Sequence, residues 1–308
     1  MNLSVFLLKV LAFFQSLICF VCYGVWWTEI TYPADATVIP GPENPAELCL
    51  DDFSLIWADD FDGASIDGSK WTGYKCQDEK SVTRMGCWWN TDLAIVHDGN
   101  LHIQTKYFEN GYKSGKNGWY SCGLCTDGLF DQTYGYFEIR CILPKGTGIW
   151  PSFWMMPHQM NDTIGNGGID GAEIDVFETA NYQYRLSDNV NVVSSAIHYD
   201  AYGSDHQKQT VCTPFLTDND PYEEYNTYGV EWNEKEYIFN INGKETGRTD
   251  FGSPSRVPEY MIINVNVSGT NGFPLNDWAG NALTYDSVAP TDFIIDYVRV
   301  YQYHSLLK

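Results

Sequence analysis

An all-β sandwich or barrel is the fold class this sequence predicts, and three observations carry it. From Leu55 onward the chain runs in short apolar stretches rich in Ile, Val, Tyr, Phe and Trp. Turns rich in Gly, Asn and Asp, such as DGAS, HDGN, GNGGIDG and INGK, punctuate them at regular intervals. No segment keeps a helical apolar period long enough to form a substantial helix, and no internal repeat appears. Many short strands separated by turn signals are the pattern of packed or closed antiparallel sheets.

Taken in order, residues 3–27 are apolar apart from Lys9, Gln15 and two serines. Lys9 sits late for a basic leader, and Gly24 is the best small residue for a cut. Val10 to Trp27 approaches the length that spans a bilayer. A cleaved signal and an N-terminal anchor therefore both fit residues 1–27, and either exports the remainder. Residues 28–48 hold four prolines and read as a linker, and residues 49–308 read as one domain. Within it, Leu101–Lys106, Tyr136–Ile142, Tyr237–Asn242 and Phe293–Tyr301 alternate as half-buried strands do. Asn242-Gly243 between two such runs predicts a tight hairpin.

Nine cysteines are present, with Cys19 and Cys22 in the apolar segment. The other seven (Cys49, Cys76, Cys87, Cys122, Cys125, Cys141 and Cys212) are an odd number, so at least one thiol is left over. Cys122-Gly-Leu-Cys125 has redox or zinc spacing. No second pair completes a metal site, so it reads as a loop disulfide or as buried thiols.

Charge and composition exclude further classes. With 40 acidic against 18 basic residues the net charge is −22, which repels phosphate backbones and argues against nucleic-acid binding. An apolar fraction of 44% with 16% aromatics can bury a large core, which excludes disorder. Abundant Tyr, Trp, Asn and Gly suit a surface that stacks aromatics on sugars.

The chemistry lies in Gly171-Ala-Glu-Ile-Asp-Val-Phe-Glu178, three acids interleaved with strand-forming residues. In an extended strand Glu173 and Asp175 share a face, and Glu178 falls on the other. One extra residue at Val176–Phe177, a β-bulge, returns Glu178 to the first face. The two Glu backbones then lie roughly 13 Å apart, at about 3.3 Å per residue. Inward-leaning side chains can close this to the roughly 5–5.5 Å of a retaining glycosidase. Asp175 adds like charge beside them, which favours a protonated neighbour, and it can orient the nucleophile. The competing reading is a solvated strand face, but unpaired like charges on one face destabilise a sheet.

At this point the sequence resembles glycoside hydrolase family 16 in its bulged Glu-x-Asp-x-x-Glu form. Other stretches match in order: Trp57-Ala-Asp-Asp-Phe-Asp-Gly63, Asp98-Gly-Asn-Leu-His-Ile103, Tyr134-Gly-Tyr-Phe-Glu-Ile-Arg140, Gly148-Ile-Trp-Pro-Ser-Phe-Trp-Met-Met-Pro157, Tyr228-Gly-Val-Glu-Trp232, Ile241-Asn-Gly243 and Asp296-Tyr-Val-Arg-Val-Tyr301. The resemblance spans roughly residues 53–302. It implies a β-jelly-roll sandwich of two antiparallel sheets with a concave substrate cleft. It implies Glu173 as nucleophile, Asp175 as assisting residue and Glu178 as general acid/base. It also implies cleft tryptophans at Trp150 and Trp154, and His198 on the neighbouring strand near the nucleophile. Asn90, Trp232, Asn264 and Trp278 are further candidate substrate contacts, although Trp232 equally suits the core. The family often carries one structural calcium, and Asp60 with Asp296 match its acids; no cofactor is expected for catalysis.

The expected protein is an exported, monomeric, endo-acting retaining β-glycosidase. Its partner is a polysaccharide or glycan, with no nucleic acid and a membrane contact only through residues 3–27. Beyond Arg140 and Arg185 the candidate strands offer few cations for a sulfated polymer. A neutral substrate is therefore expected, either a β-1,3 or mixed-linked glucan or a neutral β-galactoside chain. A transglycosylase and a non-catalytic carbohydrate-binding sandwich are the alternatives.

Overall fold

Among the described residues, eighteen strands follow one another. They are β1 (Phe53–Asp59), β2 (Thr72–Gly73), β3 (Trp88–Trp89), β4 (Ala94–His97), β5 (Asn100–Ile103), β6 (Lys106–Phe108), β7 (Gly118–Ser121), β8 (Gly123–Cys125) and β9 (Gly135–Ile142). After them come β10 (Ile149–Pro157), β11 (Glu173–Glu178), β12 (Val192–Tyr199), β13 (Gln207–Leu216), β14 (Asn226–Trp232), β15 (Tyr237–Ile241), β16 (Lys244–Thr249), β17 (Glu259–Val267) and β18 (Phe293–Tyr303). The computed structural model describes residues 39, 41–75, 79–81, 83, 85–146, 148–160, 164–165, 167–179, 192–216, 219–267 and 291–307. The apolar segment, most of the linker, Cys76, Arg185 and Trp278 lie outside the described residues.

Two large antiparallel sheets form a β-jelly-roll. The cleft sheet has seven strands in the order β13-β12-β11-β10-β17-β8-β2. The outer sheet has eight, in the order β16-β15-β14-β9-β18-β5-β4, with β1 also pairing β18. A small sheet, β3-β7-β6, lies beside β17, with Trp89 Nε1–H donating to Val265 O at 2.9 Å. Alternation sorts the side chains: Phe153, Met155, Ile174, Phe177, Ile197 and Ile263 of the cleft sheet and Phe137, Ile139, Val230, Val298 and Val300 of the outer sheet are buried in one apolar core. Burying such side chains stabilises each by about 1.5–3 kcal/mol before entropy is counted, which is what joins the sheets.

The hairpin expected at Asn242-Gly243 is present, joining β15 to β16 with both residues at positive φ (51° and 74°). Such a turn matches the strand twist, and Asn and Gly bear that backbone at least cost. The alternating stretch at 101–106 splits into β5 and β6. The end of the supposed linker already belongs to the fold. Glu47 bridges Lys244, and Leu48 N–H donates to Gly243 O at 2.7 Å.

The described cysteines are free thiols, five of them buried. Cys122 and Cys125 both belong to the core cluster, and desolvation raises both thiols. Of the two readings of this pair, buried thiols is the one observed.

Candidate active site

The strand carrying the acids starts from a tight turn. Gly171 has φ +102°, and a Cβ there would lie 2.4 Å from the Pro157 ring, so only glycine fits. Strand β11 then runs between β10 and β12. Asp175 faces Trp154 on one side and Ala196 on the other, and Glu178 faces Ser152 and Ser194. From Asp175 to Glu178 β11 advances by three positions where β12 advances by two, so the expected bulge lies at Val176–Phe177. Two hydroxyls secure it: Ser195 Oγ donates to Val176 O at 2.8 Å, and Ser194 Oγ donates to Glu178 O at 3.0 Å. A bulge leaves backbone carbonyls without ladder partners, and these serines supply them.

The bulge brings Glu178 to the face of Glu173. Both line one cleft of about 240 Å³ together with Trp150, Ser194, Ala196, His198, Tyr202, His206, Lys208 and Thr210. Asp175 lies deeper and is almost fully buried. His198 stands opposite Glu173 on β12, with Nε2 3.3 Å from Asp175 Oδ2 and Nδ1 2.8 Å from His206 Nε2. With both rings neutral, the arrangement that sets a donor against every acceptor has His206 donating to His198 and His198 directing its N–H toward Asp175. Desolvation, then the neighbouring His198 and Lys208, lower the His206 pKa and favour its neutral ring. Glu173, Asp175 and His198 also offer ligand atoms within 4.8 Å of one another, the one such grouping among the described residues.

Trp154 of β10 lies opposite Asp175 and is half-buried. Its Nε1–H donates to Asn264 Oδ1 at 2.7 Å, and its ring meets Tyr74 edge-on at 5.6 Å. Asn264 Nδ2 is buried with no hydrogen-bond partner among the described residues. Burial, then the charges of Tyr260 and Glu173, push the Tyr74 hydroxyl far above its usual range.

Other expected contacts do not meet the cleft. Trp232 is fully buried in the outer sheet, donates Nε1–H to Ser255 O at 3.0 Å and packs on Tyr134, Phe137 and Tyr237. It is a core residue, because its strand turns that face toward the opposite sheet. Asn90 is buried too. Its Oδ1 caps a short 3-10 turn through Asp92 N–H, and its Nδ2 donates to Glu79 Oε1. Both its polar ends therefore serve local structure. Arg140 is in the outer sheet, paired with Asp296 and lying over Tyr225.

That pairing also bears on the expected calcium acids. Asp60 Oδ1 accepts Arg299 Nε and Nη2 at 3.1 and 2.7 Å, and Asp296 is held by Arg140. A divalent cation requires several oxygen ligands. Here each acid faces a different guanidinium, so these two side chains do not fit a shared calcium site.

Tyr202, His206, Lys208 and Thr210 escaped the sequence reading. His206, Lys208 and Thr210 alternate, but this is informative only once β13 is known to flank β12. Tyr202 follows Asp200 and Ala201, two non-glycine residues at positive φ (61° and 56°), and projects more than half exposed.

Two packed antiparallel sheets with paired carboxylates on a bulged strand inside a cleft define the class of jelly-roll glycoside hydrolases. Residues 55–303 match the profile of the β-porphyranase A–D GH16 domain, and the chain belongs to glycoside hydrolase family 16. A β-glucanase of Rhodothermus marinus is 28% identical over 270 residues, covering 82% of this chain and 86% of that one. A glucan endo-1,3-β-glucosidase A1 of Niallia circulans is 27% identical over 84% of this chain, and the match spans 39% of its length. Among solved structures, a non-specific endo-β-1,3(4)-glucanase of the family superposes with TM-score 0.66 at 26% identity, covering 86% of this chain and 96% of that one. The laminarinase catalytic domain of Thermotoga maritima gives 0.60 at 25%, over 82% and 99%.

Proposed function

We propose that this protein is an exported, endo-acting retaining β-glycosidase that cleaves internal β-linkages of a neutral polysaccharide. The observation that carries the reading is the bulge, which turns Glu178 to the face of Glu173 inside one cleft. In the first step the Glu173 carboxylate attacks the anomeric carbon. The bond to the leaving sugar breaks, and Glu178 gives its proton to the departing oxygen. In the second step Glu178, now a carboxylate, takes a proton from water. That water attacks the same carbon and releases Glu173. Asp175, steadied by His198 at 3.3 Å, orients Glu173. Trp150 and Trp154 carry sugar rings, and Asn264 offers its Nδ2 donor.

A neutral substrate suits the charge of the cleft, where Glu173 and Glu178 stand with one lysine, Lys208. The glucanases among the relatives favour a β-1,3 or mixed-linked glucan. The porphyranase-type profile, and a keratan-sulfate endo-1,4-β-galactosidase of Sphingobacterium multivorum at 28% identity, support a β-galactoside chain as the second reading. Incubating the protein with neutral β-glucans and β-galactans, and following the first-formed anomer by NMR, tests both points. Retained configuration is expected, and an inverted product removes the nucleophile role from Glu173. Binding without new reducing ends would leave only a carbohydrate-binding sandwich.

A further inference from the structure

One buried acid behind the catalytic strand takes no part in these steps. Glu259 opens β17 opposite Pro157 and is completely enclosed. Its Oε1 accepts the Ala172 N–H at 3.2 Å, and its Oε2 is buried with no hydrogen-bond partner among the described residues. Its main chain is clamped as well, since Glu259 and Gln132 exchange two N–H···O bonds of 3.1 Å. Ala172 follows Gly171 and immediately precedes Glu173. The peptide that turns the chain into β11 is therefore held by a side chain of another strand. The titratable groups facing Glu259 are Tyr237 of β15 and Tyr260 beside it in β17, and among the described residues no cation pairs with it.

We propose that Glu259 is a positioning residue of the reaction: by holding the first peptide of β11 it sets how Glu173 enters the cleft, while touching no substrate itself. This rests on Glu173 being the nucleophile. Burial pushes the Glu259 carboxyl up to about 8, so it keeps its proton at neutral pH and stays neutral among neutral neighbours. Above that value ionisation leaves a bare charge in an enclosed site. The cost is relieved by admitting water, which loosens the Ala172 clamp.

The test uses the full chain with laminarin as probe, measuring kcat and KM from about pH 6 to 9.5 for wild type, Glu259→Gln, Glu259→Met and Glu173→Gln. Glu259→Gln keeps the acceptor and the neutral charge. It should hold kcat within about threefold at neutral pH and lose the fall that wild type shows near pH 8. Glu259→Met removes the acceptor and should lower kcat about tenfold with KM unchanged. Amide exchange over residues 172–178, corrected for its intrinsic pH dependence, should quicken in Glu259→Met. It should also quicken in wild type, but not Glu259→Gln, on the alkaline side. An alkaline fall in Glu259→Gln identical to wild type overturns the proposal, as does full activity and protection in Glu259→Met. If Glu259→Met fails to fold, the Glu259→Gln profile decides; if laminarin is not cleaved, exchange decides. An active Glu173→Gln removes the nucleophile assignment, whereas an inactive one beside wild-type-like Glu259 variants removes only this inference.

Discussion

In the outer sheet Glu138 of β9 is buried with both oxygens engaged, one by the Tyr136 hydroxyl at 3.0 Å and the other by the Tyr297 hydroxyl at 2.9 Å. In the cleft sheet Glu173 and Glu178 instead line a cavity on a strand whose bulge turns both toward it. The difference lies in what surrounds each acid rather than in the acid itself. Glu138 has tyrosine donors on its own and an adjacent strand, so its hydrogen bonds tie a sheet together. The cleft acids sit where β10, β12 and β13 present an open surface, so a substrate can reach them.

The largest effect that can break this comparison is loss of the nucleophile. Glu173→Gln should lower kcat by about a thousandfold or more, while Glu138→Gln stays within about threefold of wild type in the same reducing-end assay. Equal losses in both would make the contrast between the sheets meaningless. Next comes Glu178→Gln, expected to cost about 10²- to 10⁴-fold on polysaccharide. With an aryl glycoside whose leaving group needs no proton, the first step should recover and a covalent glycosyl-enzyme should build up in intact-mass spectra.

The tryptophans sharpen the same contrast in two separate readouts. Trp232→Ala should destabilise the fold by about 3–5 kcal/mol in denaturant unfolding, because it empties a packed core site. Trp150→Ala should raise KM roughly three- to tenfold with a smaller stability loss, as a stacking surface would. A Trp150 variant that unfolds as readily as the Trp232 variant would assign Trp150 to the core.

The smallest effect concerns pH and the outer acid. Desolvation raises the Glu138 carboxyl despite the two tyrosine hydroxyls. Unfolded, the group ionises in its ordinary range, and folded it holds its proton to higher pH. Across that interval the unfolded chain binds fewer protons, so this residue's contribution to stability falls as pH rises. Melting curves of wild type and Glu138→Gln should therefore diverge upward from the ordinary carboxylate range, with the variant losing less. Parallel curves would mean that Glu138 titrates normally.

Much of this was legible in the residues because it depends on local rules. Alternation announced the strands, Asn242-Gly243 announced its hairpin, and the spacing of Glu173, Asp175 and Glu178 required a bulge if the acids were to act together. Trp232 stays open between cleft and core in the sequence, and Asn90 turns to local structure, because a motif match does not say which way a side chain points. Asp60 and Asp296 each meet an arginine distant in sequence, Arg299 and Arg140, which a motif match does not reveal. Tyr202, His206 and Lys208 carry no signal of their own until β13 is laid beside β12.

By itself, then, the sequence determined the all-β class, the family and the three acids on one strand, since periodicity and short motifs act over a few residues. Only the tertiary structure decided which aromatics meet the cleft, which acids are bound by arginine or tyrosine, and that Glu259 closes on the peptide before Glu173. Those outcomes follow from strand order and register, which bring together residues far apart in the chain.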